Sequence, residues 1–132
     1  MTSDSNIDRD LTALLRDRLD YFQDMFAAGK IGELVDDFYT DDAVVEGTGM
    51  PPIVGKAAIA EGFIAARKVY ESITIEMEPI RYSCADLAYG CITNANKRVE
   101  GETEIHRAAI VWRRIGGKWR CQVDFFYIRE GS

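Results

Sequence analysis

Residues 104–128 read EIHRAAIVWRRI-GG-KWRCQVDFFYI, and their reading decides the fold. Two long arms rich in Ile, Val, Trp, Phe and Tyr flank Gly116-Gly117. Glycine accepts the positive φ that a tight turn demands, so the pair predicts a β-hairpin. Strict alternation along the second arm puts Trp119, Cys121, Val123, Phe125 and Tyr127 on one face. Arg120, Gln122, Asp124, Phe126 and Ile128 fall on the other. Asp124 is a carboxylate among aromatics, late in the last strand. His106, the only histidine, lies near the start of the first arm.

Upstream of the hairpin, the chain from Tyr70 onward reads as strand. Ile73, Ile75 and Met77 alternate with Thr74 and Glu76, Pro79 marks an edge or bulge, and strands follow over 80–84 and 87–99. Before Tyr70 the pattern is helical. Leu11, Leu14, Leu15, Leu19, Phe22 and Phe26 predict a helix over 8–28, with Gly29 in the left-handed position that ends it. Residues 1–7 are polar and expected to be disordered. Ile31, Leu34, Val35 and Phe38 make a short second helix, and a short strand covers 43–47. Thr48 to Val54, with Pro51-Pro52, is loop. A third helix over 56–68 turns Ile59, Phe63 and Ala66 inward. Helices followed by consecutive antiparallel strands give an α+β domain spanning residues 1–132.

The 132 residues suit one domain that folds without disulfides or metals. The hydrophobic content of 47% lies above the disordered range. A net charge of −6 argues against nucleic acid and anionic membrane surfaces as partners. Cys84, Cys91 and Cys121 form no C-x-x-C and read as reduced thiols of a cytoplasmic protein. The first ten residues carry no basic and apolar leader, and no apolar run approaches the ~20 residues of a membrane span.

Several chemistries lack their residues. GMPPIVGKA has Met50 where a phosphate loop needs Gly, and Ala57 where it needs Ser or Thr. One histidine and scattered cysteines cannot form the usual zinc sets, and Asp36, Asp37, Asp41 and Asp42 lack calcium-loop spacing. No G-x-S-x-G or G-x-G-x-x-G occurs. No metal and no cofactor is therefore expected.

The stretch FAAGKIGELVDDFYTDDAVVEGTGMPPIVGKAAIAEGF resembles the front half of the nuclear transport factor 2-like superfamily. The matching marks are Gly29, the run Phe38 to Ala43, Gly55, and Gly116-Gly117-Lys118-Trp119 before the last strand. The resemblance, over about residues 10–129, implies a cone-shaped α+β barrel. Three helices pack on the concave face of a curved, mostly antiparallel sheet, around an apolar cavity. The superfamily hosts isomerases, hydrolases, cyclases, dehydratases and non-catalytic domains, so fold alone does not give function. Steroid isomerases place a Tyr and two Asp where this chain has Phe22, Gly47 and Ile110. Epoxide hydrolases place Arg, Asp and Asp where it has Ile92, Asn94 and Asp124. Scytalone dehydratases need two histidines. SnoaL-like cyclases rely on one Asp of the last strand, which Asp124 matches.

The resemblance therefore implies a small-molecule pocket protein for a small hydrophobic ligand. Acid/base chemistry would rest on Asp124, assisted by His106. The alternative is a non-catalytic ligand-binding or dimerising domain. The expected lining is Phe22, Phe26, Phe63, Ile92, Asn94, Asn96, Ala108, Gln122 and Phe126, with Gly47 and Ala108 leaving space. A three-residue turn, Ile115 to Gly117, would put His106 and Asp124 on one face, diagonal to each other. The outer sheet face, carrying Cys121, Val123, Phe125 and Tyr127, is the expected homodimer surface.

Overall fold

A computed structural model describes residues 2–128, with side chains from residue 10 onward. The elements are α1 (Thr2–Ala27), α2 (Ile31–Phe38), β1 (Tyr39–Gly47), β2 (Ile53–Val54), α3 (Lys56–Val69), β3 (Tyr70–Met77), β4 (Tyr82–Cys84), β5 (Leu87–Arg98), β6 (Glu104–Ile115) and β7 (Lys118–Ile128). The strands form one curved, unclosed sheet in the order β2-β1-β7-β6-β5-β3, with β4 beside β5. Every pairing is antiparallel except β1 with β7. The three helices cover its inner face, giving the α+β cone.

α1 begins at Thr2, ahead of the start expected at Asp8. A polar first turn carries no apolar period, so the sequence pattern is silent there. Leu11, Leu15, Leu19, Phe22 and Phe26 form the buried stripe of α1, whereas Leu14 is exposed. Gly29, at φ 77°, ends the helix. Its N–H reaches the Phe26 carbonyl and that of Lys30 the Met25 carbonyl, both at 3.0 Å, which is a Schellman closure. The Arg67 guanidinium on α3 donates to the carbonyls of Phe26 and Ala27, so α3 is pinned to that same helix end.

β3 is an edge strand, and α1 satisfies part of its open edge. The Ile75 N–H donates to Gln23 Oε1 at 2.6 Å, and its carbonyl accepts from Arg16 at 2.7 Å. These ties hold α1 across the sheet and fix one wall of the interior.

The β6–β7 hairpin turns through Gly116 and Gly117 alone, both at positive φ, with Ile115 paired to Lys118. The expected three-residue turn does not form. The phase change comes instead from a bulge. Trp112 pairs with Cys121 but Val111 with Val123, which leaves Gln122 as the extra residue on β7. Before the bulge Trp119 and Cys121 face inward, and after it Asp124 and Phe126 do. Both halves of β7 therefore keep an inward face although the pattern shifts by one. Cys121 is fully buried and is no part of the outer face.

Candidate functional site

A cavity of about 190 Å³ opens between α1, α3 and the inner sheet face. Phe22, Val45, Met50, Ile53, Ile59, Phe63, Ala66, Ile73 and Phe126 make its wall largely apolar. Asp124, Asn94, Asn96, His106 and Tyr70 supply its polar groups. A cavity of ~150 Å³ admits benzene, so this one suits a single substituted ring rather than a fused polycycle. It lies below the ~300–1,000 Å³ common for ligand pockets.

Asp124 sits between β1 and β6, paired with Val45 on one side and Ile110 on the other. Asp124 is partly buried, and it lines the cavity. Burial pushes its pKa up to about 7, against a smaller lowering pull from the Tyr39 hydroxyl. Tyr39 is itself fully buried. Its hydroxyl lies near the carboxyl yet closes no hydrogen bond of ordinary geometry. Desolvation and the neighbouring carboxyl together hold the phenol well above its usual range.

His106 is held by a separate set of groups. Its Nε2 lies 3.0 Å from Glu104 Oε1, and the Tyr70 hydroxyl donates to the same oxygen at 2.7 Å. Arg98 donates to the other oxygen. These three donors, His106 first, hold the Glu104 carboxyl below its usual range despite partial burial. Phe126 stacks on the imidazole at 5.8 Å and 11°, and Tyr70 meets its edge.

The ladder separates this cluster from Asp124. His106 pairs with Ile128 and Ile110 with Asp124, so the Ala108–Phe126 rung stands between them. They are not the diagonal neighbours expected from the sequence. The offset of four residues is roughly 13 Å of strand, and the Phe126 ring fills part of it.

Of the expected lining, Phe22, Phe63, Asn94, Asn96, His106, Asp124 and Phe126 meet at the cavity. Phe26, Ile92 and Ala108 are buried in the surrounding core. Gln122 points away: at the bulge its Oε1 accepts from Arg113 at 2.8 Å on the outer face. The space expected at Gly47 is occupied, because Phe126 and Met50 already lie where a side chain there would go. Sequence reasoning passed over Tyr39 and Tyr70, and it set Glu104 near His106 only in the reading of that histidine as a rim or strand-surface residue. Glu104 was within reach of it, since residues two apart on a strand share a face. Tyr39 stood only as a family mark at the helix–strand junction.

Residues 19–122 match a family model described as SnoaL-like domain. No curated protein matches the chain. A ketosteroid isomerase-like protein from Erwinia carotovora atroseptica SCRI1043 superposes with a TM-score of 0.71 at 21% identity, covering 88% of this chain and 94% of its own. A candidate dehydratase of the nuclear transport factor 2-like family from Streptomyces avermitilis gives 0.75 at 12% identity, over 94% and 99%. A nuclear transport factor 2-like protein with a cystatin-like fold from Novosphingobium aromaticivorans gives 0.71 at 17%, over 99% and 88%. At such identities the likeness is one of fold. Among the described residues no helix is long and apolar enough to cross a membrane, and no metal-binding group of three or more His, Cys, Asp or Glu is present.

Proposed function

Because the chain belongs to the SnoaL-like family, within the nuclear transport factor 2-like superfamily, we propose that it is a proton-transfer enzyme for a small ring-sized molecule, with Asp124 as acid/base. One observation carries this reading. Asp124, the one carboxyl among the described residues that line the apolar cavity, has its pKa pushed up to about 7. A general acid/base works best with a pKa near the operating pH, since both protonation states are then available. Such a carboxyl can take a proton beside a substrate carbonyl and return it elsewhere, the step shared by isomerisation and cyclisation. The Tyr39 hydroxyl, buried behind the cavity wall, is a nearby donor to the Asp124 carboxylate when it has given up its proton.

The second reading is a binding module, and the separation of His106 from Asp124 favours it. The histidine is committed to Glu104, so among the described residues the titratable side chains beside Asp124 are the buried Tyr39 and Cys121. The single-domain chain would act as a homodimer through the outer sheet face in a reducing, cytoplasmic setting, where its three free cysteines stay reduced.

The two readings part on hydrogen exchange. Monocyclic ketones incubated with the protein in D₂O should gain deuterium beside the carbonyl, with a rate inflection near pH 7. Asp124→Asn should slow that exchange by roughly 10²–10⁴-fold. Ketones that bind without exchange, or an Asn variant with the full rate, would establish the binding module instead.

A further inference from the structure

Three polar side chains lie together on the inner face of β5 and β6, away from Asp124. Asn94 pairs across the ladder with His106, and Asn96 with Glu104. All but Glu104 line the cavity. The Asn94 and Asn96 side-chain oxygens are buried without any hydrogen-bond partner. Asn96 as a whole is only 5% exposed. Buried amides are nearly always paired, so two adjacent unpaired ones in a cavity wall call for a missing partner. Turning either amide about its last torsion presents an oxygen or an NH₂ to the cavity.

His106 adds an acceptor. Glu104, engaged by Arg98 and Tyr70, is a carboxylate that can only accept, so His106 Nε2 donates to it. In the neutral ring the remaining nitrogen, Nδ1, then carries the lone pair. No hydrogen bond to Nδ1 is formed among the described residues. With the imidazole neutral, the set offers two amides and one imidazole acceptor. The negative charge beside it is already balanced by Arg98.

We propose that Asn94, Asn96 and His106 form a second polar subsite of the cavity, which takes a neutral hydroxyl group of a ring-shaped ligand. A hydroxyl both donates and accepts, so it meets the imidazole lone pair and an amide NH₂ at once. A carboxylate would face that same lone pair and the nearby Glu104 charge. An ammonium would find no carboxylate in the subsite, because Glu104 does not line the cavity. Glu104 acts as a positioning residue that fixes which imidazole nitrogen looks into the cavity. The subsite presupposes the cavity is a ligand site, as proposed above, but not that the site is catalytic.

The test titrates the full chain with p-cresol and with p-xylene, two rings of equal shape that differ by the hydroxyl. Binding is followed by NMR, and the ring ¹⁵N signals of the single histidine are unambiguous. p-Cresol should bind on the order of tenfold more tightly or better, because the xylene leaves the amides unpaired. It should also shift the His106 Nδ1 resonance, and p-xylene should not. Asn94→Leu and Asn96→Leu should each shrink the preference. If either variant does not fold, the wild-type Nδ1 response still decides. Equal affinities with an unmoved Nδ1 overturn the subsite and leave the cavity reading intact. Failure of both rings to enter at millimolar concentration overturns the cavity reading and the subsite together.

Discussion

His106 Nε2 lies 3.0 Å from Glu104 Oε1, and this contact, not Asp124, orients the only histidine of the chain. Glu104 also accepts from Tyr70 and Arg98, so three side chains lose a partner if its charge goes. Glu104→Gln should cost about 1.5–3 kcal/mol of stability in denaturant titrations at neutral pH, the usual range for hydrogen bonds to a charged group. The folded-state pKa of Glu104 is lowered from 4.5. Its stabilisation is therefore present above that value and is lost as pH falls through the lower, folded one. Wild type should lose stability across that acid window, and the Gln variant should lose less. An unchanged midpoint, with the histidine tautomer unchanged by ¹⁵N NMR, would contradict the role given to Glu104.

Asp124 has the opposite sign. Its folded-state pKa is raised from 3.8 to about 7. The folded protein keeps the proton that the unfolded chain releases, so stability falls as pH rises between those values. Each tenfold of proton affinity is worth about 1.4 kcal/mol, which sets an upper bound of roughly 4 kcal/mol above pH 7. Asp124→Asn removes this penalty. Relative to wild type it should be more stable at pH 8 than at pH 4, as read from unfolding midpoints at both. A variant whose difference from wild type does not move with pH would place the carboxyl in open solvent. The same substitution tests catalysis, so a gain in stability with a loss of turnover would show a site that costs stability for function.

The hairpin, the helix stripe and the α+β order were legible because each rests on a local period or on paired glycines. Gly29 ended α1 through the left-handed geometry its position requires. The facing of Asp124 was not legible, because two periods conflict in β7. Trp119 and Cys121 belong to one phase, Asp124 and Phe126 to the other, and both are inward. A one-residue bulge at Gln122 reconciles them. Nothing local in Cys-Gln-Val announces it, since what selects the bulge is the partner strands: Trp112 beside Cys121 and Val45 beside Asp124. The Glu104–His106 bond was obscured for a different reason. Tyr70 and Arg98, which complete it, come from other strands, Tyr70 from 34 residues away.

Gly47 is a steric rather than a turn requirement. A Cβ built there would fall 2.6 Å from Phe126 Cζ and 2.9 Å from Met50 Sδ. Gly47→Ala should push the Phe126 ring off its position and cost about 1–3 kcal/mol, the range for overpacking a filled core. Phe126 also stacks on His106, so its movement should alter the ring-current shift of the imidazole protons. Loss of stability accompanied by a moved histidine signal supports this packing chain. An Ala variant of wild-type stability would mean that Phe126 yields without cost.

The outer face of β6 and β7 remains to be covered, and a second copy of the chain is the occupant proposed. Val111 pairs with Val123 and Ala109 with Phe125, giving an apolar strip across the two strands. Phe125 is 42% exposed and Tyr127 40%. The Gln122 bulge sends the residues after it outward on the alternate phase, so this strip exists only because Asp124 turns inward. The strip crosses the sheet away from its open edges, so a flat partner fits it better than an added strand, and an isologous contact satisfies both copies with one surface. Wild type should sediment at twice the chain mass of 14.9 kDa. Val123→Glu places a charge in each copy's share of the contact and should weaken association by roughly 100-fold, about 3 kcal/mol. Because Val123 faces away from the cavity, the His106 signals and the p-cresol affinity should stay as in wild type. A wild-type chain that sediments as a monomer at micromolar concentration would remove the second copy, and the strip would then be an ordinary exposed surface.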